Sequence, residues 1–409
     1  MNTPSDDQQR DLALEVLRAE HGDCLLLTYG RDLVLIDGGP PGVYDATLKP
    51  RLQELMGERD KPLFLRMVMV SHIDDDHIVG LADMFSEARE RKEERRGPAE
   101  WRTGELWLNA FGALTGASRT AGASGVHGAA LEALVSAAPG TQSEAVAASV
   151  ANGIALQQDA IGLDVDINKS FGGDLVQGGG DSATIEVAPK LTFTVIAPAA
   201  QRLTKLQEKW EEWVRDHPQA DAQTAANLDR SVFNLSSIVI LAESGRRSLL
   251  LTGDAGSDDI LLGLKAAGLL TDDGAPLVVD VLKLPHHGSK RNVNAIFFER
   301  VRARNYVISA NGRDGNPDDA TLALLCDARR NDGEPWTLWL TYGGQPNDGK
   351  PGLHERLSAF LIGREAAGQT VDARFGKPGE RHVIHAHDAP VRILSIYWLP
   401  KAAEPAETR

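Results

Sequence analysis

Ser71-His72-Ile73-Asp74-Asp75-Asp76-His77-Ile78-Val79-Gly80 stands directly behind an apolar run, Leu63 to Val70, broken only by Arg66. That run has the length and composition of a strand covered on both faces, and the residues that follow it switch to imidazoles and carboxylates. Both groups ligate divalent metals, and His72, Asp74, Asp76 and His77 can converge from a strand-to-helix turn. Carboxylates favour the first turn of a helix, which accounts for one aspartate but not for the whole set. A helix is expected from about Ile78, dissolving into the mixed charges of Glu87 to Arg96, a solvated face.

Upstream, Asp11 to Arg18 and Cys24 to Tyr29 read as strands, and Leu33 to Ile36 pairs back across the turn Gly30-Arg31-Asp32 to end at Asp37-Gly38-Gly39-Pro40. Thr47 to Leu55 has helical spacing, with Pro50 in its first turn. Downstream of the strand Glu105 to Leu108, the stretch Gly112 to Gly180 is rich in Gly, Ala, Ser and Thr and poor in large apolar residues. It is expected to be a peripheral insertion, helical over Ser143 to Ile161, that partly covers the site. Leu191 to Ile196 is a strand and Gln201 to Arg215 a helix. A hairpin, Ser236 to Leu241 and Ser248 to Leu251, runs into Thr252-Gly253-Asp254, and the strand Leu277 to Leu284 ends in Pro285-His286-His287-Gly288-Ser289. Strands at Tyr306 to Ser309 and Trp336 to Leu340 flank a helix, Ala320 to Ala328; the tail adds a helix from Leu353 and a strand, Val391 to Trp398. Three strands thus end in ligand residue types, where α/β architectures place chemistry.

The motif resembles the His-x-His-x-Asp-His signature of the metallo-β-lactamase superfamily, with Asp74 where the second His usually stands. That variant is similar to the metallo-β-lactamase domain of ComEC-type DNA-uptake proteins and their stand-alone relatives. His21-Gly22-Asp23 with Leu33 to Gly39 resembles the opening hairpin of that group, Asn234 to Val239 with Leu250 to Asp254 its central hairpin, and Lys283 to Ser289 its late histidine motif. The resemblance spans about Glu15 to Tyr342. It implies an α/β fold, an αββα sandwich over residues 11–345 with an insertion at about 112–180, and a C-terminal extension, 346–409, packing on the core. It also implies two divalent ions. His72 and Asp74 would hold one. Asp76 and His77 would hold the other together with His286 or His287, and Asp254 would bridge. His286 is preferred as the ligand, with His287 behind it or facing substrate; Asp23 and Asp37 are expected behind the ligands or in turns. Two positions depart from the group: Asn234 stands where a further His is usual, leaving one metal a ligand short, and Gly315-Asn316-Pro317 stands for Gly-His-Pro. The resulting oxygen-rich donor set suits Mn²⁺ or Mg²⁺, with Zn²⁺ also possible.

The chain has 409 residues, 42% hydrophobic and 25% charged, ordinary for a globular protein with a sizeable core. Two cysteines, Cys24 and Cys326, in apolar runs offer neither a disulfide framework nor a zinc motif. Met1 to Arg10 shows no apolar leader and no run approaches the ~20 residues of a membrane span, so no membrane association and a cytoplasmic setting are expected. The formal net charge of −15 opposes non-specific attraction to polyanions, yet Lys283, Lys290 and Arg291 flank the late histidines. Each is equally readable as an ordinary surface cation. His382, His385 and His387, and Trp210, Trp213, Trp336 and Trp339, read as structural or core residues.

The leading expectation is a metal-dependent hydrolase, a phosphodiesterase or nuclease acting on nucleic acid through a metal-activated hydroxide, with Asp76, Asp254, His287 and Lys290 in catalytic roles. The alternatives are a hydrolase of a small ester, lactone or thioester, favoured by the net charge, and a non-catalytic binding module, suggested by Asn234 and Asn316.

Overall fold

The computed structural model describes residues 10–58, 62–94, 100–109, 142–179, 183–204, 208, 236–331, 333–379 and 381–386. Asn234, Trp210, Trp213, His387 and the expected strand at Val391 to Trp398 lie outside them. One sheet has the order β16-β1-β2-β3-β5-β7, built from β1 (Leu12–Val16), β2 (Leu25–Tyr29), β3 (Asp32–Ile36), β5 (Met67–Met69), β7 (Leu106–Trp107) and β16 (His382–His385). The other runs β15-β14-β13-β12-β11-β10-β9-β8, from β8 (Thr184–Ala188), β9 (Leu191–Ala197), β10 (Val239–Ser244), β11 (Arg247–Leu251), β12 (Leu277–Lys283), β13 (Val301–Ile308), β14 (Thr337–Leu340) and β15 (Asp372–Phe375).

Strand alternation explains why these segments are apolar on both faces. Leu25, Leu27, Val34, Ile36, Leu249, Leu251 and Val281 meet between the sheets. Their neighbours Leu26, Leu33 and Leu35 face outward against α1 (Lys49–Glu58) and α2 (Asp75–Glu93). On the other sheet Leu250 and Leu282 face outward against α4 (Ser257–Ala266), α5 (Ala295–Arg300) and α6 (Asp319–Ala328). The result is a four-layer αββα sandwich. The C-terminal segment supplies α7 (Leu353–Ala366), β15 and β16, so it completes both sheets.

Two expectations need correction. Leu63 to Val70 is not one strand. β4 (Leu63–Leu65) pairs with β6 (Trp101–Thr103) in a separate ribbon, and only β5 joins the main sheet. Arg66 is the break: it is exposed, its guanidinium reaches Asp32 at 2.6 Å, and its N–H donates to Leu33 O at 2.7 Å.

The small-residue stretch is likewise not wholly peripheral: its described side chains from Ser149 enter the core. Helix α3 (Gln142–Gly162) packs along α2, with Leu156 and Ala160 fully buried in the outer core. Asn168 exchanges hydrogen bonds with Leu108 at 2.9 Å in both directions. Small side chains here permit close helix packing; a Cβ on Gly153 would already touch Ile73. Leu156→Ala is therefore expected to cost about 2–5 kcal/mol in urea unfolding. A cost within ~0.5 kcal/mol, the usual range for surface positions, would place α3 outside the core.

Parallel strands carry the motifs to one edge. β3 and β5 are parallel, as are β11, β12, β13, β14 and β15. The C-terminal ends of β3, β5, β11, β12 and β13 deliver Asp37, His72, Asp254, the His286-His287 pair and Ser309. Ile238 N–H donates to Ser71 O at 2.8 Å, tying the two sheets together at that edge. The motif also needs Gly80: a Cβ there would collide with the Gly38 carbonyl, so the Asp37-Gly38-Gly39 turn sits directly on the start of α2.

Candidate metal centre

Four imidazoles surround the Asp254 carboxylate. Its Oδ2 lies 3.8 Å from His72 Nε2 and 3.5 Å from His286 Nε2; its Oδ1 lies 3.3 Å from His77 Nε2 and 3.6 Å from His287 Nε2. Asp74 approaches His72 Nε2 at 3.8 Å, while Asp76 Oδ2 lies 3.3 Å from His287 Nε2 and 4.0 Å from His77 Nε2. The other five residues expected as ligands thus cluster with Asp254. His287 joins them, against the expectation that it stands behind His286. His287 is the one buried beside Asp76 and His77, whereas His286 is partly exposed and faces Asp254 from the His72 side.

The turn carrying both histidines explains the division. His286 and His287 have left-handed backbones (φ 48° and 54°), a costly pair of conformations for side-chain-bearing residues. Their rings stand almost perpendicular, at 83°, so each imidazole reaches a different oxygen of Asp254. A run of ligand-type letters does not reveal such a turn.

Hydrogen-bond partners fix which nitrogen each ring presents. Nδ1 of His77 donates to Asp37 Oδ2 at 2.9 Å, Nδ1 of His286 to Asn292 Oδ1 at 2.8 Å and Nδ1 of His287 to Ser309 O at 2.8 Å. Ser71 Oγ gives its proton to Asp37 Oδ2 at 2.7 Å and can accept from His72 Nδ1 at 3.2 Å. Every Nε2 therefore faces inward. His77 Nε2 and His287 Nε2 are 3.3 Å apart, and the buried atoms His72 Nε2 and Asp254 Oδ1 have no hydrogen-bond partner. Buried ligand-type atoms converging this closely suit a cation between them, and the donor set fits divalent metals. Asn292, Ser309 and Ser71, whose partners orient the ligands, were not among the residues singled out in the sequence; their only signal is position, near the ends of the same strands.

Asp23 and Asp37 stand behind the ligands as expected. Asp75 turns away from the cluster and accepts from Ser149 Oγ at 3.1 Å and Asn152 Nδ2 at 3.2 Å, tying the motif to α3. Lys290, assigned a catalytic role from the sequence, is exposed and donates its backbone N–H to Asp318 at 2.8 Å; Arg291 is exposed beside it. Lys283 is no surface cation: it is fully buried. His382 is buried near the Leu340 carbonyl and His385 pairs with Asp11, both structural roles. Asn316 is half-buried. His21, at the rim, contacts the Arg313 guanidinium at 2.8 Å.

Burial lowers the His72 pKa well below the usual imidazole value. Burial also opposes charge on His77 and His287, but the carboxylates, Asp254 first, outweigh it and raise both. A cation bound at Nε2 must then expel those protons, so apparent metal affinity should climb as pH rises toward the raised values. Calorimetric titration with Mn²⁺ in two buffers of different ionisation enthalpy should report proton release; identical heats in both would contradict it.

The sandwich gathers buried histidines and aspartates into groups that could hold metal ions. No family model matches the chain. Among curated proteins it is similar to Microtubule-associated protein 1A from Homo sapiens, 36% identical over 83 residues, which is 19% of this chain and 3% of that protein. Among solved structures it is similar to CmlA, a diiron β-hydroxylase from Streptomyces venezuelae, with a TM-score of 0.37 and 12% identity, covering 94% of this chain and 55% of that one. It is also similar to Zn²⁺-bound PqqB from Methylobacterium extorquens, with a TM-score of 0.35 and 12% identity, covering 78% of this chain and 86% of that one. Among the described residues no helix is long and apolar enough to cross a membrane.

Proposed function

We propose that this protein is a two-metal phosphodiesterase, a ComEC-like nuclease working in the cytoplasm. The observation that carries the reading is Asp254, whose two oxygens face two separate groups of donors. His72, Asp74 and His286 would hold one ion on the Oδ2 side; Asp76, His77 and His287 would hold the other on the Oδ1 side. His286 then supplies the ligand that Asn234 does not. Divalent ions there would supply Lewis acidity and neutralise charge on a phosphoryl group. The carboxylate share of the donors favours Mn²⁺ or Mg²⁺ over Zn²⁺.

The protein's own side chains do the remaining work. Asp76, partly exposed at the mouth, can orient an attacking water and accept its proton. His287 is held by Ser309 so that its Nε2 faces Asp76. Arg313, Lys290 and Arg291 offer exposed positive charge for a phosphodiester backbone. The net charge of −15 favours the second reading, a small ester, lactone or thioester. A panel of single- and double-stranded DNA and RNA beside small esters, each with Mn²⁺, Mg²⁺ and Zn²⁺, separates the two. Metal-dependent cleavage of nucleic acid, strongest with Mn²⁺, is expected. Turnover of esters alone would put the second reading first.

A further inference from the structure

Lys283 closes β12 on the same face as Val281, which lies between the sheets, so strand alternation sends its side chain inward toward the centre. It is fully buried. Its ammonium pairs with the Asp23 carboxylate, donates to Gly253 O at 3.3 Å and stands 4.0 Å from Asp254 Oδ1. Asp23, Asp37 and His77 bring ligand-type atoms within 4.8 Å of one another, and so do Asp23, Asp254 and His287, a triad that could hold a further cation beside the two donor groups described above. Two of its three members are the residues that face the ammonium.

We propose that Lys283 is a resident cation, a tethered ammonium that fills this third pocket and so limits the centre to two metal ions. The inference rests on the reading of the cluster as a metal centre. Five carboxylates stand at the site: Asp23, Asp37, Asp74, Asp76 and Asp254. Two divalent ions and one ammonium cancel their formal charge; without the ammonium, one carboxylate is left unbalanced in a buried setting, which is costly. Being covalently attached, the ammonium cannot be lost by chelation or exchanged for a softer ion. It would also keep Asp23 from competing for ions held at Asp254.

The test is metal content. Wild type, Lys283→Ala and the double variant Asp23→Asn/Lys283→Met are stripped with chelator, dialysed against Mn²⁺ and measured by mass spectrometry of the metal, with circular dichroism as the check on folding. Two Mn²⁺ per chain are expected for wild type and for the double variant, and three for Lys283→Ala. A Lys283→Ala chain that folds only when Mn²⁺ is supplied equally supports the proposal, because the ion then replaces the ammonium. A folded Lys283→Ala chain holding two ions overturns it, as does one that Mn²⁺ cannot fold. A wild type that retains no metal is a different failure: it removes the metal-centre reading itself, and this inference with it.

Discussion

Asp254→Asn should strip the centre of its ions and abolish turnover. The substitution keeps the side chain's shape and removes the negative charge that both imidazole groups face, at 3.3 to 3.8 Å. An amide oxygen is a weak ligand and can serve only one side. Metal content after dialysis should fall from two ions per chain to one or none, and kcat/KM by at least about 10³-fold, beyond the 10²–10³ typical of losing one electrostatic contact. The fold should also suffer. In the metal-free chain Asp254 pairs with His77 and lies near Lys283, so breaking this buried set is expected to cost about 3–5 kcal/mol. Dialysed metal content and urea unfolding are read on the same preparations. Unchanged metal content would remove Asp254 from the centre.

Asp76→Ala should give the opposite balance, a large loss of turnover on a nearly intact fold. Asp76 is in the first turn of α2, partly exposed, and its side chain faces His287 across 3.3 Å. Its contribution to stability as a first-turn carboxylate is about 0.3–1 kcal/mol. Its structural duty lies in the backbone, whose carbonyl accepts from Asp23 N–H at 3.2 Å and survives truncation. The expected loss in kcat is about 10²–10³-fold or more on nucleic acid with Mn²⁺ supplied. Equal cleavage by wild type and variant would assign the activity to a contaminant.

Much of this arrangement was legible because buried strands and metal ligands both leave local marks. The apolar runs at Leu33 to Ile36 and Leu277 to Leu284 end where the ligands begin, and the ligand residue types cannot be mistaken for core. What failed to show depended on contacts distant in sequence. Arg66 ends a strand because Asp32 is there to receive it. The small residues of α3 read as a cover, although small side chains equally suit a helix pressed against α2. The roles of His286 and His287 turn on two left-handed residues, and the burial of Lys283 on a carboxylate 260 positions away, Asp23.

The most direct test of the central claim is anomalous X-ray diffraction from crystals loaded with Mn²⁺. Two peaks are expected on opposite sides of the Asp254 carboxylate, one among Asp76, His77 and His287, the other among His72, Asp74 and His286. A single peak, or a pair that leaves Asp254 uncoordinated, would contradict it.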